Sequence, residues 1–188
     1  ALKAAADLAV ERFGRLDAAV AAAAVIIGGQ PLWETPREHL QTLLDIDLMG
    51  VWNTATVAIP HMLSGPSPQD CRFVAVASAA GNTGLFRLAG YNAAKHGVIG
   101  LVKGLAADLV GTGVTAVAVS PGSTDTRMLQ ATADLYGLKG VEEFIDSSPI
   151  RRLLRPEEIA DSIAFCCSLT GGTLNGSVVS ATGGFHGG

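Results

Sequence analysis

The chain has 188 residues, 48% of them hydrophobic, and a formal net charge of −4. This length fits one domain with one core, so we predict a single domain over residues 1–188. The weak negative charge and the lack of a run of Lys or Arg argue against nucleic acid as a partner, because binding to a phosphate backbone requires a basic surface.

Membrane and metal sites are also disfavoured by the sequence. The longest apolar run, Ala18 to Ile27, is about half of the roughly 20 residues that a membrane-spanning helix needs, so we expect no membrane association. The three cysteines and four histidines lack the spacing of metal ligands, and we expect no metal site. No signal peptide is recognisable, and we therefore expect a cytoplasmic protein.

The first half of the chain alternates between helix and strand patterns. Residues 2–13 carry apolar side chains on one helical face, with Gly14 as the following cap. The run Ala18 to Ile27 is apolar at every position, which predicts a central strand covered on both faces. The pattern Thr35-Pro36-Arg37-Glu38 combines a hydroxyl cap with proline at the first helical position, so we predict a long helix that runs past Trp52.

The second half repeats this alternation. We predict strands at residues 72–77, 114–119 and 177–181, a helix over residues 91–110, and another helix that opens at Arg155-Pro156-Glu157-Glu158. Strands that alternate with helices of this length predict an α/β fold, a doubly wound parallel sheet with helices on both faces. In such sheets ligands bind beyond the carboxyl ends of the strands, here near residues 22–24, Ser78 and Pro121-Gly122.

Tyr91 and Lys95 stand one helical turn apart on the same predicted helix face. At a separation of roughly 4 to 5 Å a lysine charge would favour the phenolate by about 3 to 4 kcal/mol. We therefore expect the pKa of Tyr91 to move from about 10 towards neutrality, where general acid/base catalysis works best. The alternative is an accidental pair in an α/β binding module, in which Tyr91 would titrate normally.

Several segments together resemble the short-chain dehydrogenase/reductase family. They are Ser78-Ala79-Ala80-Gly81, Tyr91-Asn92-Ala93-Ala94-Lys95, Pro121 to Met128, Gly14-Arg15-Leu16-Asp17, Arg155 to Ala160 and Thr182-Gly183-Gly184. The resemblance covers nearly the whole chain. It implies a Rossmann-like fold and an oxidoreductase that transfers a hydride between NAD or NADP, with NAD favoured, and an alcohol or ketone.

The resemblance also implies roles for single residues. Tyr91 would exchange the proton, Ser78 would hold the substrate oxygen, and Lys95 would lower the pKa of Tyr91 and bind the nicotinamide ribose. The nicotinamide and its carboxamide would be cradled by Pro121, Gly122, Thr124 and Thr126.

Two stretches depart from the family pattern. Where relatives have Asn-Asn-Ala-Gly, this chain has Ala21-Ala22-Ala23-Ala24, so it lacks the side-chain amides beside the adenosine ribose, and the backbone of Ala22 and Ala23 would make the remaining contacts with the cofactor. This alanine-rich stretch is similar to a branch linked to the cofactor mycofactocin. Asp47 stands where relatives have an asparagine that holds a water beside the lysine. Its carboxylate could hold the same water while adding a negative charge near Lys95, or it could be a solvated helix residue.

The family's glycine-rich first turn does not occur in the sequence. Family members begin with about 70 to 90 residues that bind the pyrophosphate, and no Gly-x-x-x-Gly-x-Gly is found here, so we expect the first βαβ portion of the fold to be lacking. The competing hypothesis is a catalytically silent relative that serves as an interaction subunit.

The remaining predictions concern substrate and assembly. Residues 127–149, in the place of the family's substrate lid, are largely apolar, as are Leu85, Phe86 and Leu88, so we expect a hydrophobic secondary alcohol or ketone. The small residues Ala93, Gly97, Gly100 and Gly104 share one face of the tyrosine helix. They either pack on the chain's own sheet or, as the resemblance implies, pair with another copy in a homodimer or homotetramer.

Overall fold

The computed structural model describes residues 1–185. Their four strands form one sheet. All three neighbouring pairs are parallel, in the order β1-β2-β3-β4. The strands are β1 (Ala18–Ala21), β2 (Arg72–Val76), β3 (Thr115–Pro121) and β4 (Val178–Ala181). The helices are α1 (Leu2–Phe13), α2 (Arg37–Leu43), α3 (Met49–Ser64), α4 (Ala89–Asp108), α5 (Arg127–Tyr136) and α6 (Pro156–Cys167).

Helices cover both faces of the sheet. Phe73 and Ala75 of β2 point into a core shared with α3 and α4, whereas Val74 points to the opposite face with Cys166 of α6. This division follows from the alternation of side chains along a strand. The predicted α/β Rossmann-like fold, a doubly wound parallel sheet, is confirmed.

The first strand is much shorter than the sequence indicates. β1 ends at Ala21, and Val20 remains 42% exposed, so the prediction of a fully covered strand to Ile27 is wrong. After the strand, the backbone N–H of Val25 donates to the Asp47 carboxylate at 2.8 Å. Val25 and Ile27 pack instead with Leu43 and Leu88 in a second apolar cluster.

The long predicted helix runs past Trp52 but is not uniform. It begins at Arg37 with Pro36 as the cap, because the Thr35 hydroxyl donates to the Pro31 carbonyl at 3.0 Å and does not cap the helix. A π-helical turn at Leu44–Leu48 separates α2 from α3.

Within residues 1–185 no helix combines the length and apolar character needed to cross a membrane.

Candidate active site

A cavity of about 530 Å³ lies beyond the carboxyl ends of the strands. Residues that follow β1, β2 and the end of β3 meet there with the N-terminal half of α4. Among the predicted site residues, the cavity is lined by Ala22, Ser78, Tyr91, Lys95, Pro121, Gly122, Thr124 and Thr126. Ala23 is exposed and does not line it, and Asp47 lies behind it.

Tyr91 and Lys95 are both buried on α4 and reach the cavity side by side. The Lys95 ammonium lies 5.6 Å from the centre of the Tyr91 ring and donates to the carbonyl of Val76, at the end of β2, at 3.1 Å. The Tyr91 hydroxyl lies 3.9 Å from the Met128 sulfur of α5. Sequence reasoning missed this contact, because no local pattern relates residues so far apart in the chain.

The pKa of Tyr91 moves opposite to the direction expected from the sequence. The pKa of Tyr91 is raised to about 12, mainly by burial, with a smaller contribution from the negative charge of Asp47, while the Ser78 hydroxyl opposes the shift. The helical spacing alone did not reveal this, because burial disfavours the charged phenolate. Burial likewise lowers the pKa of Lys95, and the Asp47 charge raises it.

Ser78 has a structural role as well as a place in the cavity wall. It is the N-cap of the short turn Ala79–Gly81, and its hydroxyl oxygen accepts a hydrogen bond from the Ala80 N–H at 3.2 Å. This bond fixes the hydroxyl at the end of β2, next to Tyr91. One lone pair and the hydroxyl hydrogen remain for a ligand.

Asp47 is fully buried in the π-helical turn, so the alternative of a solvated helix residue is wrong. Its Oδ1 accepts the hydrogen bond from the Val25 N–H. Within residues 1–185, Oδ2 is the one buried side-chain nitrogen or oxygen without a hydrogen-bond partner. Burial raises the pKa of Asp47, and the Val25 N–H and the charge of Lys95 lower it.

The turn after β3 forms a flat wall of the cavity. A side chain at Gly122 would begin only 2.7 Å from the carbonyl oxygen of Thr182, so the backbone there approaches as closely as glycine allows. The Thr124 hydroxyl donates to the Gly122 carbonyl at 3.0 Å. Thr126 caps α5, its hydroxyl accepting from the Leu129 N–H at 3.3 Å. Both threonines are thereby oriented at the cavity edge.

The family model described as enoyl-(acyl carrier protein) reductase matches residues 1–186. The chain belongs to the short-chain dehydrogenase/reductase family. Relatives of this family that resemble the chain include NAD-dependent oxidoreductases, and one solved structure of a relative is a complex with NADH.

Two curated family members and one solved structure illustrate the similarity. The chain is 33% identical to cis-4-hydroxycyclohexanecarboxylate dehydrogenase of Sinomonas cyclohexanicum over 95% of its own length and 69% of that protein. It is 38% identical to (-)-trans-carveol dehydrogenase of Rhodococcus erythropolis, covering 66% of the chain and 44% of that enzyme. Levodione reductase superposes with a TM-score of 0.89 at 29% identity, over 97% of this chain and 71% of that one.

The chain therefore spans 69% of the length of the first of these curated relatives and 44% of the length of the second.

Proposed function

We propose that the whole protein transfers a hydride between the nicotinamide of NAD or NADP and a hydrophobic secondary alcohol or ketone, with Tyr91 exchanging the proton. The observation that carries this proposal is the convergence of Ser78, Tyr91 and Lys95 on one cavity. A phenol, a hydroxyl and an ammonium in one partly closed space can hold a carbinol oxygen and move its proton.

The residues after β3 fit the planar nicotinamide ring and its carboxamide. Gly122 contributes to the cavity lining, and the hydroxyl oxygens of Thr124 and Thr126 keep lone pairs that can accept from an amide. Pro121 extends this wall, and the backbone at Ala22 lies across the cavity. Bound there, the nicotinamide would supply or accept the hydride. We favour NAD over NADP.

The proton is assigned to the Tyr91 hydroxyl. With a pKa of about 12, Tyr91 keeps its proton at neutral pH and is ready to donate it to a ketone oxygen. The Ser78 hydroxyl, fixed by its capping bond, would donate to the same oxygen as negative charge develops. Lys95 adds a nearby positive charge that favours phenolate formation in the oxidation direction.

The apolar wall of the cavity supports a hydrophobic substrate. Leu85, Leu88 and Leu129 are among the residues that line it. Burying an apolar substrate against them is favourable by roughly 25 cal/mol per Å² of surface removed from water.

The proposal is tested by adding NAD, NADP and a secondary alcohol to the purified whole protein and following the absorbance of reduced nicotinamide. We expect formation of the reduced cofactor that depends on the alcohol. Absence of reduction with both cofactors and a panel of cyclic and open-chain alcohols would contradict the proposal.

A catalytically silent subunit is the second candidate, and the buried carboxyl group of Asp47, whose Oδ2 has no hydrogen-bond partner, favours it. It predicts that no nicotinamide binds even at millimolar concentration, which calorimetric titration with NADH would reveal.

Membership of the mycofactocin-linked branch and a cytoplasmic location stay predictions from the sequence.

We also propose that the protein forms a homodimer or homotetramer through α4. Ala93, Gly100 and Gly104 are exposed, so they do not pack on the chain's own sheet, whereas Gly97 faces Leu48. Trp52 of the neighbouring α3 is 56% exposed. An exposed face of small residues suits close packing of helices from two copies.

A further inference from the structure

Three aromatic side chains form one side of the cavity, and we call Phe86, Tyr136 and Phe144 the aromatic wall. The ring centres of Phe86 and Tyr136 are 6.4 Å apart at an interplanar angle of 41°, and those of Tyr136 and Phe144 are 6.4 Å apart at 50°. These distances are typical of interacting aromatic pairs. The three rings therefore form one continuous surface.

Backbone contacts hold the aromatic wall in place. The Tyr136 hydroxyl at the end of α5 donates to the Phe86 carbonyl at 2.6 Å. Arg87 has a φ of 53°, in the left-handed region that few residues other than glycine adopt, and its carbonyl accepts from the Gly29 N–H at 3.0 Å. Its guanidinium lies 4.9 Å from the centre of the Phe86 ring. Strained backbone held in this way is typical of functional sites.

Phe86 is nevertheless 72% exposed in the structure. A large apolar ring that is fixed in position and faces an open cavity gains free energy when a ligand covers it. The exposure therefore marks Phe86 as a surface for substrate and not as part of the core.

The cavity has few charged side chains that could pair with a charged substrate. Among its lining residues in the described part of the chain, Lys95 is the one charged side chain, and its ammonium is buried and bound to the Val76 carbonyl. A substrate carboxylate would lose its water without gaining a positively charged partner beyond this lysine, which is unfavourable.

We infer that the aromatic wall makes the protein selective for uncharged secondary alcohols and ketones carried on a ring, with Phe86, Tyr136 and Phe144 as specificity-determining residues. A rigid ring can lie against three fixed rings without losing internal rotations, whereas an open chain loses them on binding. This inference rests on the proposed function and narrows its substrate class.

The first test compares three alcohols with the same oxidised nicotinamide: cyclohexanol, its carboxylate-bearing analogue hydroxycyclohexanecarboxylate, and an open-chain secondary hexanol. We expect kcat/KM for cyclohexanol to exceed that for each of the other two by about tenfold or more. Equal kcat/KM values, or a preference for the carboxylate or the open chain, would overturn the inference.

The second test replaces wall residues with leucine. We expect Phe86→Leu and Phe144→Leu to raise KM for cyclohexanol by about tenfold and to change kcat/KM for hexanol by less than about twofold. Phe165→Leu is the matched control, since Phe165 lies on α6 outside the cavity and should leave both alcohols unaffected. Equal losses for the two alcohols would overturn the role of the wall.

The turnover of hexanol distinguishes failure of the aromatic-wall inference from failure of the proposed function. Turnover of hexanol without a preference for the ring contradicts the aromatic-wall inference alone. No turnover of any alcohol by the unaltered protein contradicts the proposed function and this inference with it.

Discussion

Three buried ionisable side chains determine the electrostatics of the candidate site. Burial raises the pKa of Tyr91 and of Asp47 and lowers the pKa of Lys95, so each group is shifted towards its uncharged form. The negative charge of Asp47 raises the pKa of Lys95, and the positive charge of Lys95 lowers the pKa of Asp47, so each charge opposes the effect of burial on the other group. The proton balance of the site therefore depends on a carboxyl group that sits behind the cavity and does not line it.

The first prediction concerns Asp47→Asn. Because the pKa of Asp47 is raised in the folded chain, the folded state retains a proton that the unfolded state has already released above about pH 4. Asp47 therefore lowers stability as the pH rises through this window. We expect Asp47→Asn, whose amide oxygen can still accept from the Val25 N–H, to raise Tm at neutral pH by a few degrees.

This advantage should shrink as the pH is lowered through this window and vanish below about pH 4, where both states are protonated. Thermal unfolding followed by circular dichroism over a pH series measures it, with the exposed Asp108→Asn as control. A lower Tm for Asp47→Asn at neutral pH would show instead that the attraction between Asp47 and Lys95 outweighs the cost of burial.

At the scale of elements, the end of β3 is the most tightly constrained part of the site. The Gly122 N–H donates to the Ala181 carbonyl of β4 at 3.0 Å. A Cβ at this position would lie 2.7 Å from the Thr182 oxygen and 2.9 Å from its Cα, both backbone atoms that cannot rotate away. The glycine is thus required by the approach of two strands at the point where the cavity begins.

The second prediction follows from this close approach. We expect Gly122→Ala to lower the free energy of unfolding by about 1–3 kcal/mol, because the backbone must shift to admit the methyl group. Urea denaturation measures the change. Gly50→Ala on α3 is the matched control, since a methyl group at Gly50 would meet no other atom within 4 Å, and it should be neutral or slightly stabilising. Equal effects of the two substitutions would contradict the packing argument.

At the scale of the whole molecule, the sequence predicts the central strands β2 and β3 better than the edge strand β1. The buried runs that form β2 and β3 predict strands because neighbouring strands and helices cover both of their faces. The early end of β1 is not predictable from hydrophobicity, because the apolar residues that follow it, Val25 to Ile27, pack against Leu43 and Leu88, which are distant in sequence.

In the candidate site, the sequence predicts which residues are present better than it predicts their pKa values. The motifs around Ser78, Tyr91 and Pro121 predict which side chains share the cavity, because the carboxyl ends of parallel strands lie at one edge of the sheet. The direction of the pKa shift of Tyr91 is not predictable from its spacing to Lys95. It depends on burial by residues from other elements, such as Met128, that the spacing does not contain.

The third prediction concerns assembly. We expect light scattering to show a dimer or tetramer, and Gly104→Arg to shift it towards the monomer, because the exposed small-residue face of α4 has no room for a long charged side chain once another helix packs on it. Glu11→Arg, on the exposed face of α1, is the control and should leave the assembly unchanged. An unchanged oligomer in Gly104→Arg would place the interface elsewhere.

The central claim is that Tyr91 exchanges the proton during hydride transfer, and it is tested most directly by the rate of cyclohexanone reduction with reduced nicotinamide in Tyr91→Phe. The account predicts that kcat falls by about 100-fold or more while Tm and cofactor binding stay close to those of the unaltered protein. A Tyr91→Phe protein that reduces the ketone at the original rate would contradict it.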